Sequence, residues 1–273
     1  MSWIEIEKAF NQAALFSFTR AKALLVFSSL ILCGLLIVFC RALAFGASDW
    51  MALSLGFIPI FIGTAVLLPV GALVAKMHQC DRNKQPLELK ELLSASFDAL
   101  VGTAYLSLPP LLSYLLLWIA MGIFFLFKQI PGLGLLFSTL FSFAPFMLIL
   151  CSILLCLFNL GLLFFASPAA VFAPSKHLHL AKQIFSAITK KPFISIALFL
   201  IALAPLLFCA CLLTFAAFLT NLSFSFGSES WTLALEWFFI MLPFAALLTP
   251  AVIFFFNFAA ESYPLLNRRA ETR

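Results

Sequence analysis

Six apolar runs constrain the fold of this chain more than any other feature. They cover, approximately, residues 23–45, 51–75, 100–127, 136–166, 193–220 and 233–258. A run of about 18 residues or more is long enough, as a helix, to cross the roughly 30 Å hydrocarbon core of a bilayer. We therefore expect an all-α integral membrane protein with six transmembrane helices.

Composition excludes a soluble domain. The chain is 64% hydrophobic and only 10% charged, whereas a soluble domain is about 45–50% apolar and about 25% charged. A soluble protein of this size cannot keep so much apolar surface away from water. In a membrane protein, the net charge of +5 reflects basic residues that collect on one side of the membrane. We therefore do not take it as a sign of nucleic-acid binding, and we expect no nucleic-acid partner.

The first apolar run resembles a signal peptide in its position, and the fourth is longer than one span requires. The first begins after Arg20 and Lys22, is about 20 residues long where a signal peptide has an apolar region of about 7–15 residues, and carries Leu32 where a lipoprotein signal needs a small residue before Cys33. We expect it to stay as an uncleaved helix rather than a signal peptide. The fourth run is long for one span, and we expect its helix to start near Phe141.

Lysine and arginine are distributed unequally between the polar segments. If the six runs cross a membrane in turn, only Arg41 and Lys128 lie on one side. Fourteen lie on the other side: Lys8, Arg20, Lys22, Lys76, Arg82, Lys84, Lys90, Lys176, Lys182, Lys190, Lys191, Arg268, Arg269 and Arg273. Because cytoplasmic loops collect Lys and Arg, the pattern predicts cytoplasmic N and C termini, in a multi-pass protein of a bacterial inner membrane.

Three polar segments carry apolar residues at helical spacing and precede a pair of runs. In residues 175–190 the apolar face is Leu178, Ala181, Ile184, Phe185 and Ile188, opposite lysines. Residues 3–19 place Trp3, Ile6, Phe10, Ala13 and Ala14 on one face, and residues 86–99, with the following Leu100, place Leu89, Leu92, Leu93 and Leu100. Such helices lie in the headgroup plane, so we expect contact with the bilayer and with anionic headgroups on the cytoplasmic side.

The segments divide the single membrane domain, residues 1–273, into three similar parts. Each part is an interfacial helix followed by a transmembrane hairpin, with limits near 1–78, 79–168 and 169–273. Two spans per part give all three the same orientation, unlike the inverted repeats of many transporters. Both true repetition and the shared patterning of membrane proteins explain the similarity, and the sequence leaves the two open.

The stretch "SPAAVFAPSKHLHLAKQIFSAITKKPF", residues 167–193, resembles a known group of sequences. With the six-span arrangement, it is similar to the membrane domain of glycerophosphoryl diester phosphodiesterases and of related bacterial membrane proteins. The matching residues are Pro168, Val171, Ala181, Lys190 and Phe193. Ala173 and Pro174 replace the acidic residue and glycine common in that group. The resemblance implies a membrane domain without catalytic residues.

Metal and catalytic sites find little support. His78 and Cys80 on one polar connection, with His177 and His179 on another, are four residues of the types that bind zinc. On a helix, however, residues two apart point in directions about 200° apart, so His177 and His179 would not converge. We favour no metal, no cofactor and no catalytic site, and hence a protein that is not an enzyme.

Four polar residues lie within or at the ends of the runs, and for three of them two interpretations are open. Glu236 is either a proton or cation carrier or, as we favour, a carboxylate that reaches the interface beside Trp231 and Trp237. Asn159 and Asn257 are expected to form hydrogen bonds between helices rather than to bind a substrate. Arg41, at the end of the first run, is expected to extend to the interface.

Prolines and glycines favour bent, closely packed helices. Prolines occur in five of the runs, at Pro59, Pro69, Pro109, Pro110, Pro145, Pro205, Pro243 and Pro250. Proline kinks a helix, and Gly56, Gly63 and Gly71 permit close approach. Two functions stay open. The favoured one is a non-enzymatic membrane domain acting through lipids or partner proteins, and the alternative is a permease for a small or lipid-like solute.

The topology can be tested with reporter fusions. Reporters fused after Lys84, after Lys182 and at Arg273 should read cytoplasmic, because the basic segments stay inside. Reporters near Asp49, Gly132 and Ser228 should read external. A cytoplasmic signal at Ser228 would contradict six spans.

The interfacial helix predicted for residues 175–190 can be tested with accessibility probes. A spin label at position 184, on the apolar face, should report an environment shielded from water. A label at position 182, on the lysine face, should report water. Equal exposure of both positions would show an ordinary solvated loop.

Overall fold

A computed structural model describes residues 3–15, 19–44, 47–84, 89–130, 139, 143–172, 192–219 and 230–267. For residues 49–50, 89–104, 172, 230–234 and 267 it describes the backbone alone. This part of the chain contains seven helices. They are α1 (Trp3–Leu15), α2 (Arg20–Ala44), α3 (Asp49–Asn83), α4 (Leu89–Lys128), α5 (Ala144–Phe172), α6 (Pro192–Leu219) and α7 (Ser230–Asn267).

The six predicted spans are confirmed. Each of α2 to α7 contains a stretch long and apolar enough to cross a membrane. The stretches are Arg20–Ala44, Met51–Asn83, Tyr105–Lys128, Ala144–Val171, Pro192–Leu219 and Leu235–Leu266. The fourth helix begins at Ala144, so that Pro145 stands in its first turn, where a missing backbone N–H is harmless. The chain is an all-α, multi-pass membrane protein.

Helices α3 and α7 are longer than a bilayer is thick. They contain 35 and 38 residues, which at about 1.5 Å per residue makes them about 52 and 57 Å long. Both continue past the ends of their apolar runs, into segments that contain charged residues. We call the end of the bundle where α2 begins and where α3 and α7 end the charged end.

The C-terminal half of α7 is the centre of the bundle. Helix α7 packs against α1, α2, α3, α5 and α6, and every residue from 251 to 262 is buried. Aromatic rings fill much of this interior: Phe164 of α5 meets Phe255 edge-on at 5.6 Å between centroids. Helix α3 forms the second hub, against α2, α4, α5 and α7. The outward side chains of the spans are largely apolar and exposed, as lipid contact requires.

Helix α1 packs against protein more closely than its amphipathic pattern predicts. Ala9 and Ala13 are buried, and the Phe10 ring lies 5.0 Å from Phe254 of α7. Of the predicted apolar face, Phe10 and Ala13 do make contact, whereas Trp3 and Ala14 are exposed. The predicted apolar face did not include Ala9, which is buried. Its burial follows from the close packing of α1 on α7, and the spacing of apolar residues along the sequence does not show which helix α1 packs against.

The other two predicted interfacial helices are segments 86–99 and 175–190. Residues from Leu89 onward are helical, but they continue into the third span as one helix of 40 residues, α4. Segment 86–99 is therefore largely the first part of a long helix rather than a separate one. Segment 175–190 lies outside the described residues, as does most of the stretch that carries the family resemblance.

Three helices meet at Gly71. A Cβ atom added there would lie 2.3 Å from Cε1 of Phe256 on α7 and 2.6 Å from Oγ of Ser167 on α5. Both distances are far below van der Waals contact, so the crossing requires a residue without a side chain. At Gly56, on the same helix, an added Cβ would meet nothing within 4 Å. The prediction of close packing is therefore confirmed at Gly71 and does not hold at Gly56.

We predict that Gly71→Ala destabilises the bundle and Gly56→Ala does not. Overpacking of this kind raises the free energy of the folded state by about 1–3 kcal/mol. The Gly56→Ala control adds the same methyl group to the same helix, in open space. Thermal unfolding of the detergent-solubilised variants measures both, and equal midpoints would contradict the crossing.

Candidate functional site

Five ionisable side chains converge at the charged end. They are Lys22 from the start of α2, His78, Asp81 and Arg82 from the last turns of α3, and Glu261 from α7. His78 and Arg82 are four residues apart and so lie on one face of α3, which turns toward α7. Asp81 is placed on a different side, toward α2. We call these five residues the ionic cluster.

Glu261 holds α7 to α3. Its side chain is 7% exposed, and its Oε1 lies 2.8 Å from Nε2 of His78, which is also buried. Nη1 of Arg82 donates to both carboxylate oxygens, at 3.0 and 3.2 Å. Because an ionised carboxylate only accepts hydrogen bonds, the contact requires the proton of His78 to be on Nε2. Two donors from α3 thus satisfy a carboxylate within the most deeply buried segment of the bundle.

Lys22 and Asp81 form the second pair of the cluster. Nζ of Lys22 lies 2.7 Å from Oδ2 of Asp81; the side chain of Lys22 is 0% exposed and that of Asp81 is 26% exposed. A fully covered ammonium group loses its hydration and depends on its carboxylate partner to recover the energy. This pair therefore fixes the start of α2 against the end of α3.

His78 and Cys80, two of the four residues considered for a zinc site, have different surroundings in the structure. Nε2 of His78 faces Glu261, and Cys80 is a half-buried free thiol. Within the described ranges, no three residues among His, Cys, Asp and Glu are grouped to hold a metal ion. His177 and His179 lie outside those ranges.

Glu236, Arg41, Asn159 and Asn257, the other polar residues discussed from the sequence, lie outside the ionic cluster. Glu236 is exposed on α7, far along that helix from Glu261. The guanidinium of Arg41 lies 4.1 Å from the ring centroid of Trp237, a cation–π contact. Asn159 of α5 donates to Thr64 of α3, and Asn257 of α7 donates to the backbone oxygen of Ala13 in α1, at 3.4 Å. The prediction that both asparagines join helices is confirmed.

Sequence reasoning missed Glu261 and Asp81. The sixth apolar run ends near residue 258, so that Glu261 reads as part of a polar tail. In the structure α7 continues to Asn267 and carries Glu261 into the interior. The available signal was the spacing of His78 and Arg82, since two potential donors on one helix face require an acceptor on a neighbouring helix.

Comparison of the chain with protein-family models, curated proteins and solved structures finds no match. Functional inference therefore depends on the geometry. In the ionic cluster, both carboxylates are engaged by basic groups, and only Arg82 is substantially exposed, at 52%. Such an arrangement joins helices and leaves positive charge on the surface.

We predict that Glu261→Gln destabilises the protein by about 2–3 kcal/mol, since it removes a charged acceptor from two buried or half-buried donors. Glu236→Gln is the matched control: the same change on the same helix, at an exposed carboxylate, should shift stability by less than about 0.5 kcal/mol. Unfolding in a denaturing detergent measures the difference. Equal effects would show that Glu261 is not a structural contact.

We predict unequal effects for the two members of the Lys22–Asp81 pair. Asp81→Asn leaves a fully buried ammonium group without its carboxylate and should destabilise by about 3–5 kcal/mol. Lys22→Met leaves a partly exposed carboxylate that water can hydrate, and should cost much less. Combining both changes should recover most of the stability lost in Asp81→Asn. A double variant as unstable as Asp81→Asn would contradict the pairing.

Proposed function

We propose that this protein is a non-catalytic domain of a bacterial inner membrane that acts through lipids, with its charged end in the cytoplasmic leaflet. The observation that carries the proposal is the placement of charge. The spans present apolar side chains outward, whereas the basic residues predicted to be cytoplasmic include several at the charged end.

Exposed basic groups at the end of α3 support contact with anionic headgroups. Arg82 is half-exposed although it pairs with Glu261, and Lys84 is exposed where α3 terminates. Lys84 adopts a left-handed conformation, with φ of 53°, and its backbone N–H donates to the oxygen of Asp81 at 3.3 Å. This cap ends the helix and leaves the ammonium group outside it. Each such lysine contributes about 1 kcal/mol near an anionic surface.

The similarity of residues 167–193 to the membrane domain of glycerophosphoryl diester phosphodiesterases supports the same proposal. In that group the membrane domain is separate from the catalytic one. The ionic cluster agrees with a structural role, because Glu261 accepts from His78 and Arg82, and Asp81 pairs with Lys22. The proposal also includes a domain that acts by binding partner proteins in the membrane.

One observation favours a permease as the second candidate. Pro59 and Pro69 interrupt the hydrogen-bond ladder of α3, and the buried Thr64 lies between them. Asn159 donates to Thr64, which in turn donates to the backbone oxygen of Phe61 at 2.8 Å. A neutral polar site beside a proline-interrupted helix suits an uncharged solute, since the contact contains no charge.

Lipid analysis of the purified protein tests the proposed function. After extraction in mild detergent, anionic lipids should be enriched over their share of the membrane. Lys84→Gln should lower that enrichment, because it removes one exposed charge at the charged end. Lys128→Gln removes a charge at the last residue of α4, at the end of the bundle opposite the charged end. It should leave the enrichment of anionic lipid unchanged.

The outcome separates the two functions. If Lys84→Gln and Lys128→Gln retain the same lipids as the natural protein, the anionic-lipid proposal fails. Uptake of an uncharged solute into vesicles that is lost in Asn159→Ala, with folding preserved, would favour the permease.

A further inference from the structure

Arg82 connects the interior of the bundle with its surface. Its Nη1 donates to both oxygens of the Glu261 carboxylate, at 3.0 and 3.2 Å. The side chain of Glu261 is 7% exposed, whereas that of Arg82 is 52% exposed. One nitrogen of the guanidinium therefore faces α7, while much of the side chain stays open to the surroundings.

The contact with Glu261 leaves several guanidinium donors unused. Arginine carries five N–H groups, of which two are on Nη1, two on Nη2 and one on Nε. Within the described residues, Arg82 makes no hydrogen bond through Nη2 or Nε. These two nitrogens form one edge of the guanidinium plane, and their parallel N–H bonds match two oxygens of a phosphate.

Glu261 fixes the direction of this edge. The buried His78 holds the same carboxylate from another side, with Nε2 at 2.8 Å from Oε1. A long side chain loses rotamer freedom when a ligand immobilises it. Arg82 has already lost part of that freedom through its contact with Glu261, so binding a ligand costs it less entropy.

The position of Arg82 along α3 favours the phosphate of a lipid as that ligand. The apolar run of α3 ends near residue 75, and Arg82 is seven residues further on, about 10 Å along the helix axis. The headgroup layer on each side of the hydrocarbon is about 5–8 Å thick, and a tilted helix rises less along the membrane normal. Arg82 therefore reaches the headgroup layer, in which the phosphate is the anionic group nearest the hydrocarbon.

We propose that the Nε–Nη2 edge of Arg82 binds the phosphate of an anionic phospholipid, and that Glu261 is the positioning residue that orients this edge. The inference rests on the proposed function, and it adds the group that is recognised and the residue that recognises it. Free phosphate offers the same oxygens as a headgroup, so the test separates the two sources.

Native mass spectrometry of the full-length protein in mild detergent measures the affinity. Phosphatidylglycerol is the probe, because its phosphate carries its only charge. Arg82→Lys keeps the positive charge and can still pair with Glu261, but it loses the paired donors. It should weaken binding of the first phosphatidylglycerol about tenfold, the scale of one charge-assisted hydrogen bond. Arg41→Lys, the same change at the opposite end of the bundle, is the control and should leave the affinity unchanged.

The role of Glu261 is tested through Arg82. In folded protein, Glu261→Gln should weaken binding of phosphatidylglycerol about threefold, because the guanidinium is no longer held in one direction. In the Arg82→Lys variant the same change should add little. A carboxylate that only stabilises the bundle would lower the affinity equally in both backgrounds, and that result would overturn the positioning role.

Two comparisons use the natural protein and stay decisive if a variant fails to fold. Phosphatidylglycerol methylated at its phosphate is uncharged and should bind about tenfold less tightly; equal binding would overturn phosphate recognition. Inorganic phosphate should not displace the lipid, because it lacks the acyl chains that lie along the spans. Displacement would assign the edge to free phosphate and overturn the lipid proposal.

The failure of this inference differs from that of the proposed function. If the protein binds phosphatidylglycerol no more tightly than phosphatidylcholine, the proposed function fails and this inference fails with it. If phosphatidylglycerol is preferred and Arg82→Lys keeps the full affinity, the proposed function stands and only the inference about Arg82 fails.

Discussion

The carboxylate of Glu261 is the contact on which the arrangement of α3 and α7, the two helices that extend past the bilayer at the charged end, depends. It lies in a segment of α7 that is buried on every side, and only His78 and Arg82 of α3 donate to it among the contacts of the described chain. A charge in that position is stable only when paired and hydrogen-bonded. Sliding α7 by one turn relative to α3, about 5.4 Å, would separate the carboxylate from both donors. The pairing therefore sets the register of the bundle, while the apolar contacts supply its cohesion.

The same two helices also meet at a point that tolerates no displacement. At Gly71 the ring of Phe256 approaches the α3 backbone so closely that even a methyl group would collide with it. Phe256 and Glu261 are five residues apart on α7, and Gly71 and His78 are seven apart on α3. A steric contact and an electrostatic one thus fix the helices within about two turns of each other. Apolar packing in lipid has little hydrophobic preference of its own, so such specific contacts define the fold.

The sequence predicted the features that follow from averages over many residues, and missed those that depend on single contacts. Six apolar runs of this length require six helices, because a helix satisfies its backbone hydrogen bonds within the segment and needs about 20 residues to cross, whereas a spanning strand needs only about 9–11. Asn159 and Asn257 were correctly assigned to helix contacts, since an amide in an apolar run has few other partners. Glu261 was missed because hydropathy ends a helix where charge begins, whereas here the helix continues and buries the charge. The hydroxyl of Tyr114 donates to the backbone oxygen of Ser54, 60 residues away in the sequence, and no local pattern records that contact.

The two ends of the bundle face the membrane with different chemistry. At the charged end, carboxylates bind bases so tightly that the remaining surface charge is positive, at Arg82 and Lys84. At the opposite end, Tyr114 and Ser152 donate to backbone oxygens, and the guanidinium of Arg41 lies over the ring of Trp237. In both places the polar contacts join different helices: α2, α3 and α7 at the charged end, and α3 with α4 and α2 with α7 at the other. The proposed attraction of anionic headgroups then depends on the exposed parts of Arg82 and Lys84, which can meet them without breaking the contacts that hold the helices.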